Sequence, residues 1–96
     1  MKAYIVGKIN GDPNYKAKFD ALEERLKAIG AIVIKPSVLP EGMRPADYMR
    51  ICMAMIDSAD IVYFMPDCWQ SKGATLELNY CRYIEKATVF VKGEDV

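Results

Sequence analysis

Three side chains capable of chemistry fall close together in the run Ile61 to Glu77, IVYFMPDCWQSKGATLE: Asp67, Ser71 and Glu77. The run reads as an apolar strand, an acidic strand end, a short polar loop and then a helix whose second turn carries Glu77. A carboxylate held there can serve as a general base, a general acid or a covalent nucleophile. Glu77 also reads as a solvated helix glutamate. Against that, Ala74, Leu78 and Cys81 share its side of the helix, and a carboxylate on such a face needs a partner or a function. Ser71 suits an N-cap, and the same hydroxyl and neighbouring amides can hold a phosphate.

A second group lies near the N-terminus. Gly7-Lys8-Ile9-Asn10-Gly11 follows a strand and precedes a helix. Glycines let backbone amides approach an anion, and the next helix N-terminus adds positive potential. Neither GxGxxG nor GxxxxGK[ST] is present, so taken alone these residues read first as a glycine turn joining strand to helix. Tyr4 reads either as a strand aromatic or as a hydroxyl that orients Glu77 or a substrate. The chain has no histidine, which excludes Ser–His and Cys–His nucleophiles and the usual histidine-containing metal sites. Acid–base work falls to carboxylates, tyrosine or lysine.

The 96 residues, 52% of them hydrophobic, suit one domain spanning 1–96. Thirteen basic residues balance thirteen acidic ones, so no bulk positive field draws the protein to a nucleic-acid polymer or an anionic membrane. No apolar run approaches a membrane span, and the start of the chain lacks a signal-peptide layout. Cys52, Cys68 and Cys81 are odd in number and form no CxxC pair. Reduced thiols in a cytoplasmic protein are expected, with no metal and no cofactor.

The elements that position these residues alternate. Lys2–Val6 reads as a strand. Asp12-Pro13 then reads as N-cap and first position of a helix whose apolar side is Tyr15, Phe19, Leu22, Leu26 and Ile29. Gly30 closes it. A strand over Ala31–Ile34, a proline-punctuated loop from Pro36 to Pro45 and a helix from about Pro45 to Ser58 follow. A strand over Ile61–Met65, a helix over Ser71–Glu85 and a last strand over Ala87–Val91 complete the pattern. Such alternation predicts an α/β, three-layer, flavodoxin- or Rossmann-like parallel sheet of about four strands in the order 2-1-3-4, with helices on both faces. The switch point then falls between strands one and three, and both chemistry-bearing loops converge on one crevice.

Tyr4-Ile-Val-Gly7-Lys-Ile-Asn-Gly11, Ala59-Asp60-Ile-Val and Ser71-x-Gly73-x-x-x-Glu77, in that order, resemble the nucleoside 2-deoxyribosyltransferase superfamily, particularly its 2′-deoxynucleoside 5′-phosphate N-hydrolase branch. More closely still, they resemble a group of short phage and bacterial proteins within it. The resemblance implies that Glu77 attacks an anomeric carbon and that Tyr4 orients its carboxylate. It also implies that the Gly7–Gly11 loop and Ser71, with Gly73 beside it, hold a 5′-phosphate. The substrate implied is a nucleoside or nucleoside 5′-monophosphate. The superfamily places an aspartate, the acid for the departing base, eight residues before the position of Asp60. That position is Cys52 here, and Asp47, Asp57 and Asp67 stand elsewhere as substitutes. The chain ends soon after its last strand, so the C-terminal segment that transferases lend to a neighbouring subunit is not expected.

The second helix is apolar nearly all round, from Tyr48 and Met49 to Met55 and Ile56, which points to a homodimer or higher homo-oligomer. Trp69, beside Cys68 and Lys72, reads as a stacking surface for a base or as an exposed loop residue. Two functions follow. One is an enzyme that hydrolyses or exchanges an N-glycosidic bond, favoured by the Tyr4–Glu77 pair. The other is a nucleotide-binding module, a sensor or phage accessory protein without the chemistry, favoured by Cys52. A flavodoxin-like domain of unrelated function is a third, since fold does not fix function.

Overall fold

Strand β1 (Lys2–Val6) sends alternate side chains to opposite faces, and this period of two organises the molecule. Ala3 and Ile5 point to one layer, where Phe19, Leu22 and Leu26 of helix α1 (Tyr15–Ala28) cover them. Tyr4 and Val6 point to the other. There they meet helices α2 (Pro45–Ser58) and α3 (Lys72–Tyr83) through Cys52, Ile56, Ala74, Leu78 and Cys81. Strands β2 (Ile32–Ile34), β3 (Ile61–Phe64) and β4 (Ala87–Phe90) complete a parallel sheet in the order β2-β1-β3-β4. The computed structural model describes residues 1–93; residues 94–96 of the expected domain lie outside the described residues.

The sheet order explains the layers. From β1 the chain runs through α1 to β2 on one side, then returns through α2 to β3 on the other. Right-handed crossovers therefore put α1 on one face and α2 and α3 on the opposite one. Tyr4 pairs with Ile34 and Val62 across the sheet, which plants its ring under the layer that carries Glu77.

Several element ends differ from the sequence reading, each for a local reason. Helix α1 starts at Tyr15 and not at Asp12-Pro13, because Asp12 closes its own turn: its Oδ1 accepts from the Asn14 amide at 2.9 Å. Ile29, expected on the apolar face, is 68% exposed. It is the C-cap of a Schellman turn in which Gly30 at φ +90° donates to Lys27 O (2.9 Å) and Ala31 donates to Leu26 O (3.1 Å). Helix α3 ends at Tyr83, short of Glu85, which sits at φ +59° while Lys86 donates back to Cys81 O at 2.9 Å. Strand β2 starts one residue later than expected, and β3 and β4 end one residue earlier.

Part of the apolar surface of α2 is taken up within the chain, while Ile51 stays half-buried and Ala54 exposed. Cys52 and Ile56 are buried, Met53 and Met55 pack against the same core, and Met49 turns to the crevice described below. At the start of α3, Ser71 caps the helix with its Oγ accepting from the Ala74 amide at 3.2 Å. Ser71→Ala is expected to cost about 1 kcal/mol, read as a lower midpoint in urea unfolding.

Candidate active site

Loops leaving the carboxyl ends of β1, β2 and β3 enclose a crevice of about 940 Å³. Its floor and walls come from Gly7 and Ile9–Pro13 after β1, Pro36 and Leu39–Gly42 after β2, and Gln70–Ala74 after β3. Helix α2 adds Tyr48, Met49 and Cys52, and α3 adds Glu77. This is where open α/β sheets bind ligands, at the reversal of strand order. The β2 loop holds its shape through Tyr48, whose hydroxyl accepts from the Met43 amide (3.2 Å) and donates to Pro40 O (2.5 Å).

Glu77 is the centre of the electrostatics. Helix α3 turns it inward with Ala74, Leu78 and Cys81, leaving it 7% exposed, and its Oε2 has no hydrogen-bond partner among the described residues. Burial disfavours the anion and lifts its pKa from 4.5 to about 7; the nearby Tyr4 hydroxyl pulls the other way. Tyr4 Oη is likewise buried without a well-formed hydrogen bond. The two groups influence each other's protonation but stop short of pairing. Burial first, and then the Glu77 carboxylate, push the Tyr4 phenol well above 10. The Cys52 thiol is raised by burial against the opposing pull of Tyr4, and Cys81 is pushed up to about 11, again mainly by burial.

A buried polar pair left unpaired costs stability unless something arrives to satisfy it. Tyr4→Phe removes one of the two unpaired atoms. Its stability is expected to stay within about 1 kcal/mol of wild type or to rise. Without the phenol, Glu77 is expected to ionise at a higher pH, visible in a carboxyl NMR titration.

The structure brings most of the expected residues to one place. Gly7, Ile9, Asn10, Gly11, Ser71, Gly73 and Glu77 line the crevice, and Tyr4 lies beneath it. Lys8 and Asp67 fall outside the lining. Asp67 Oδ1 accepts from the Lys8 amide at 3.0 Å, and its Oδ2 receives Lys18 Nζ at 3.2 Å. Asp67 thus latches the glycine loop to the end of β3 from behind. Gly7 makes that latch possible, since a Cβ there would sit 2.2 Å from Met65 Cε and 3.3 Å from Asp67 Oδ1.

The substitute acids are also engaged elsewhere. Asp57 accepts from Tyr80 Oη at 2.7 Å, and Asp47 bonds Arg44 at 3.3 Å. Trp69, offered as a base-stacking surface, instead lies parallel to Phe90 with centroids 5.8 Å apart and is absent from the crevice wall. Among the lining residues that the sequence did not assign to the site are Tyr15, Glu41, Tyr48 and Met49. The length of the Pro36–Pro45 loop was the available signal for Glu41, but nothing in the spacing showed which way it would face. Among the described residues, no three side chains of the ligating types converge to hold a metal ion, and no helix is long and apolar enough to cross a membrane.

Comparison with known proteins bears on the family and the fold. The family described as "Domain of unknown function (DUF4406)" matches residues 1–90. The chain belongs to that family. Its fold is shared with a solved structure. That structure, of a 2-desoxiribosyltransferase from Leishmania mexicana, superposes with a TM-score of 0.74 at 17% identity over 93% of this DUF4406 chain. The chain spans only 62% of that protein's length. The search of curated proteins found no match.

Proposed function

We propose that the crevice binds a nucleoside or nucleoside 5′-monophosphate and that Glu77 cleaves its N-glycosidic bond. The observation that carries this reading is Glu77 itself: a buried carboxylate, unpaired at Oε2, opening into a crevice large enough for a nucleoside. Likeness in fold to a 2-desoxiribosyltransferase supports it.

The chemistry follows from the groups present. Ionised Glu77 attacks C1′ of the sugar through an oxocarbenium-like state, and the base departs with the electron pair of the C–N bond. Water then attacks C1′ of the glycosyl ester, releasing the sugar and restoring the carboxylate. In a transfer reaction a second base takes the place of water. Tyr4 lies beneath the carboxylate and limits the rise of its pKa without pairing with it. No carboxylate stands at position 52, so the departing base takes its proton from solvent, and bases that leave readily are the better substrates.

Specific backbone features support a phosphate subsite at the start of α3. Ser71, Lys72 and Gly73 line the crevice there, at the positive end of a helix of 12 residues. A second reading, a binding module without turnover, is favoured by Cys52 on the crevice floor. Incubation with a panel of nucleosides and 5′-monophosphates, followed by chromatography of free base, separates the two. Release of base supports the enzyme. Binding by calorimetry without release supports the module, and absence of both rejects the site.

A further inference from the structure

The crevice contains an acceptor that the bond-breaking chemistry leaves unused. Three carboxylates line it: Asp12, Glu41 and Glu77. Asp12 is fully engaged, with Oδ1 on the Asn14 amide and Oδ2 on Lys18 Nζ at 2.6 Å. Glu77 is committed to the sugar in the reading above. Glu41 makes a single long hydrogen bond, accepting from Tyr15 Oη at 3.5 Å. No cation pairs with it among the described residues, and it is exposed on the wall of the crevice.

Position gives this carboxylate a specific neighbour in a bound ligand. Strand order puts the β2 loop, which carries Glu41, on the opposite side of β1 from the Ser71–Gly73 turn after β3. A nucleoside with its sugar over Glu77 and its C5′ end toward Ser71 therefore directs its base toward the β2 loop. The wall there is apolar and aromatic, with Leu39, Pro40, Tyr15 and Tyr48. It suits the faces of a planar base, while Glu41 meets its edge. An ionised carboxylate only accepts hydrogen bonds, through two oxygens side by side. It is complementary to a base edge that presents two adjacent N–H donors and repels an edge of carbonyl oxygens or ring lone pairs.

We propose that Glu41 selects the base, and that the crevice takes nucleosides whose base carries adjacent N–H donors on its outer edge. A 2-amino-6-oxopurine satisfies both oxygens through its ring N1–H and its 2-amino group. This rests on the nucleoside reading of the crevice and adds the class of base to it.

The test compares guanosine and inosine, and their 2′-deoxy forms, which differ only in the 2-amino group. Binding is measured by calorimetry on the wild-type protein and on Glu41→Gln, with thermal melts confirming that both are folded. The wild type is expected to bind the 2-amino compound at least about tenfold more tightly. In Glu41→Gln the ratio is expected to fall toward one, because an amide offers one acceptor and one donor and matches the N1–H and O6 that both bases share. Binding of both nucleosides without a 2-amino preference, or a preference that survives Glu41→Gln, overturns the role of Glu41 and leaves the nucleoside site standing. Binding of neither nucleoside, nor of either 5′-monophosphate, overturns both.

Discussion

Glu77→Gln is expected to lower base release at least about a thousandfold while leaving the protein able to bind its nucleoside. The amide keeps the size of the side chain but cannot form the covalent ester, and nucleophile replacements in enzymes cost factors of this order or more. Glu77 stands alone in this respect. Asp12 is tied to Lys18 and Asn14, and Asp47, Asp57 and Asp67 make their bonds outside the crevice. The remaining crevice carboxylate, Glu41, is exposed on the β2 loop, on the opposite side of β1 from the turn that opens α3, so among the described residues no other carboxylate is placed to rescue the step. The wild-type pH profile should agree: with Glu77 ionising at about 7, kcat/KM rises through neutral pH and levels off above it. Single-turnover release of base, compared between wild type and variant, checks the first expectation. A variant retaining a tenth of wild-type release would remove Glu77 as nucleophile.

The site was legible in the sequence where it depended on strand periodicity and helix spacing. Alternation set Tyr4 opposite Ala3 and Ile5 but left open which layer it entered, and Glu77 had to share a side with Ala74, Leu78 and Cys81; the fold brings both to the same layer. Parallel alternation then brought the loops after β1 and β3 together. Legibility failed where a side chain had two possible partners. Asp67 at a strand end could have faced a ligand, yet the Lys8 amide and Lys18, 59 and 49 residues away in sequence, claimed it. Trp69 found Phe90 in the neighbouring strand. Helix ends moved for similarly local reasons, since Asp12 spent its side chain on a turn and Glu85 adopted the left-handed conformation that glycine usually supplies. Glu41 was invisible because loop direction is set by Tyr48 bridging Pro40 and Met43, a tertiary closure with no sequence period.

The same Glu77→Gln change should also make the fold more stable at alkaline pH, and this follows from linkage. In the unfolded chain the Glu77 carboxyl ionises near 4.5; in the fold it ionises at about 7. Between these values the folded state holds the proton more tightly. Wild-type stability therefore falls as pH rises through this window, and levels off above it. The difference corresponds to about 3 kcal/mol, taken up by desolvation of the buried anion. Glutamine has no such titration. The stability gap between Glu77→Gln and wild type should thus grow by about 3 kcal/mol in favour of the variant between pH 4.5 and pH 8, about 10 °C or more in Tm for a chain of this size. Urea unfolding of both proteins across that range measures it, and comparing the two cancels the titration of the other carboxylates. A gap independent of pH would mean that Glu77 is solvated in the fold, which would remove the elevated pKa together with the reason for placing it at a functional site. A gap that widens identifies a carboxylate kept in an unfavourable state, a stability cost accepted where the buried charge has work to do on a ligand.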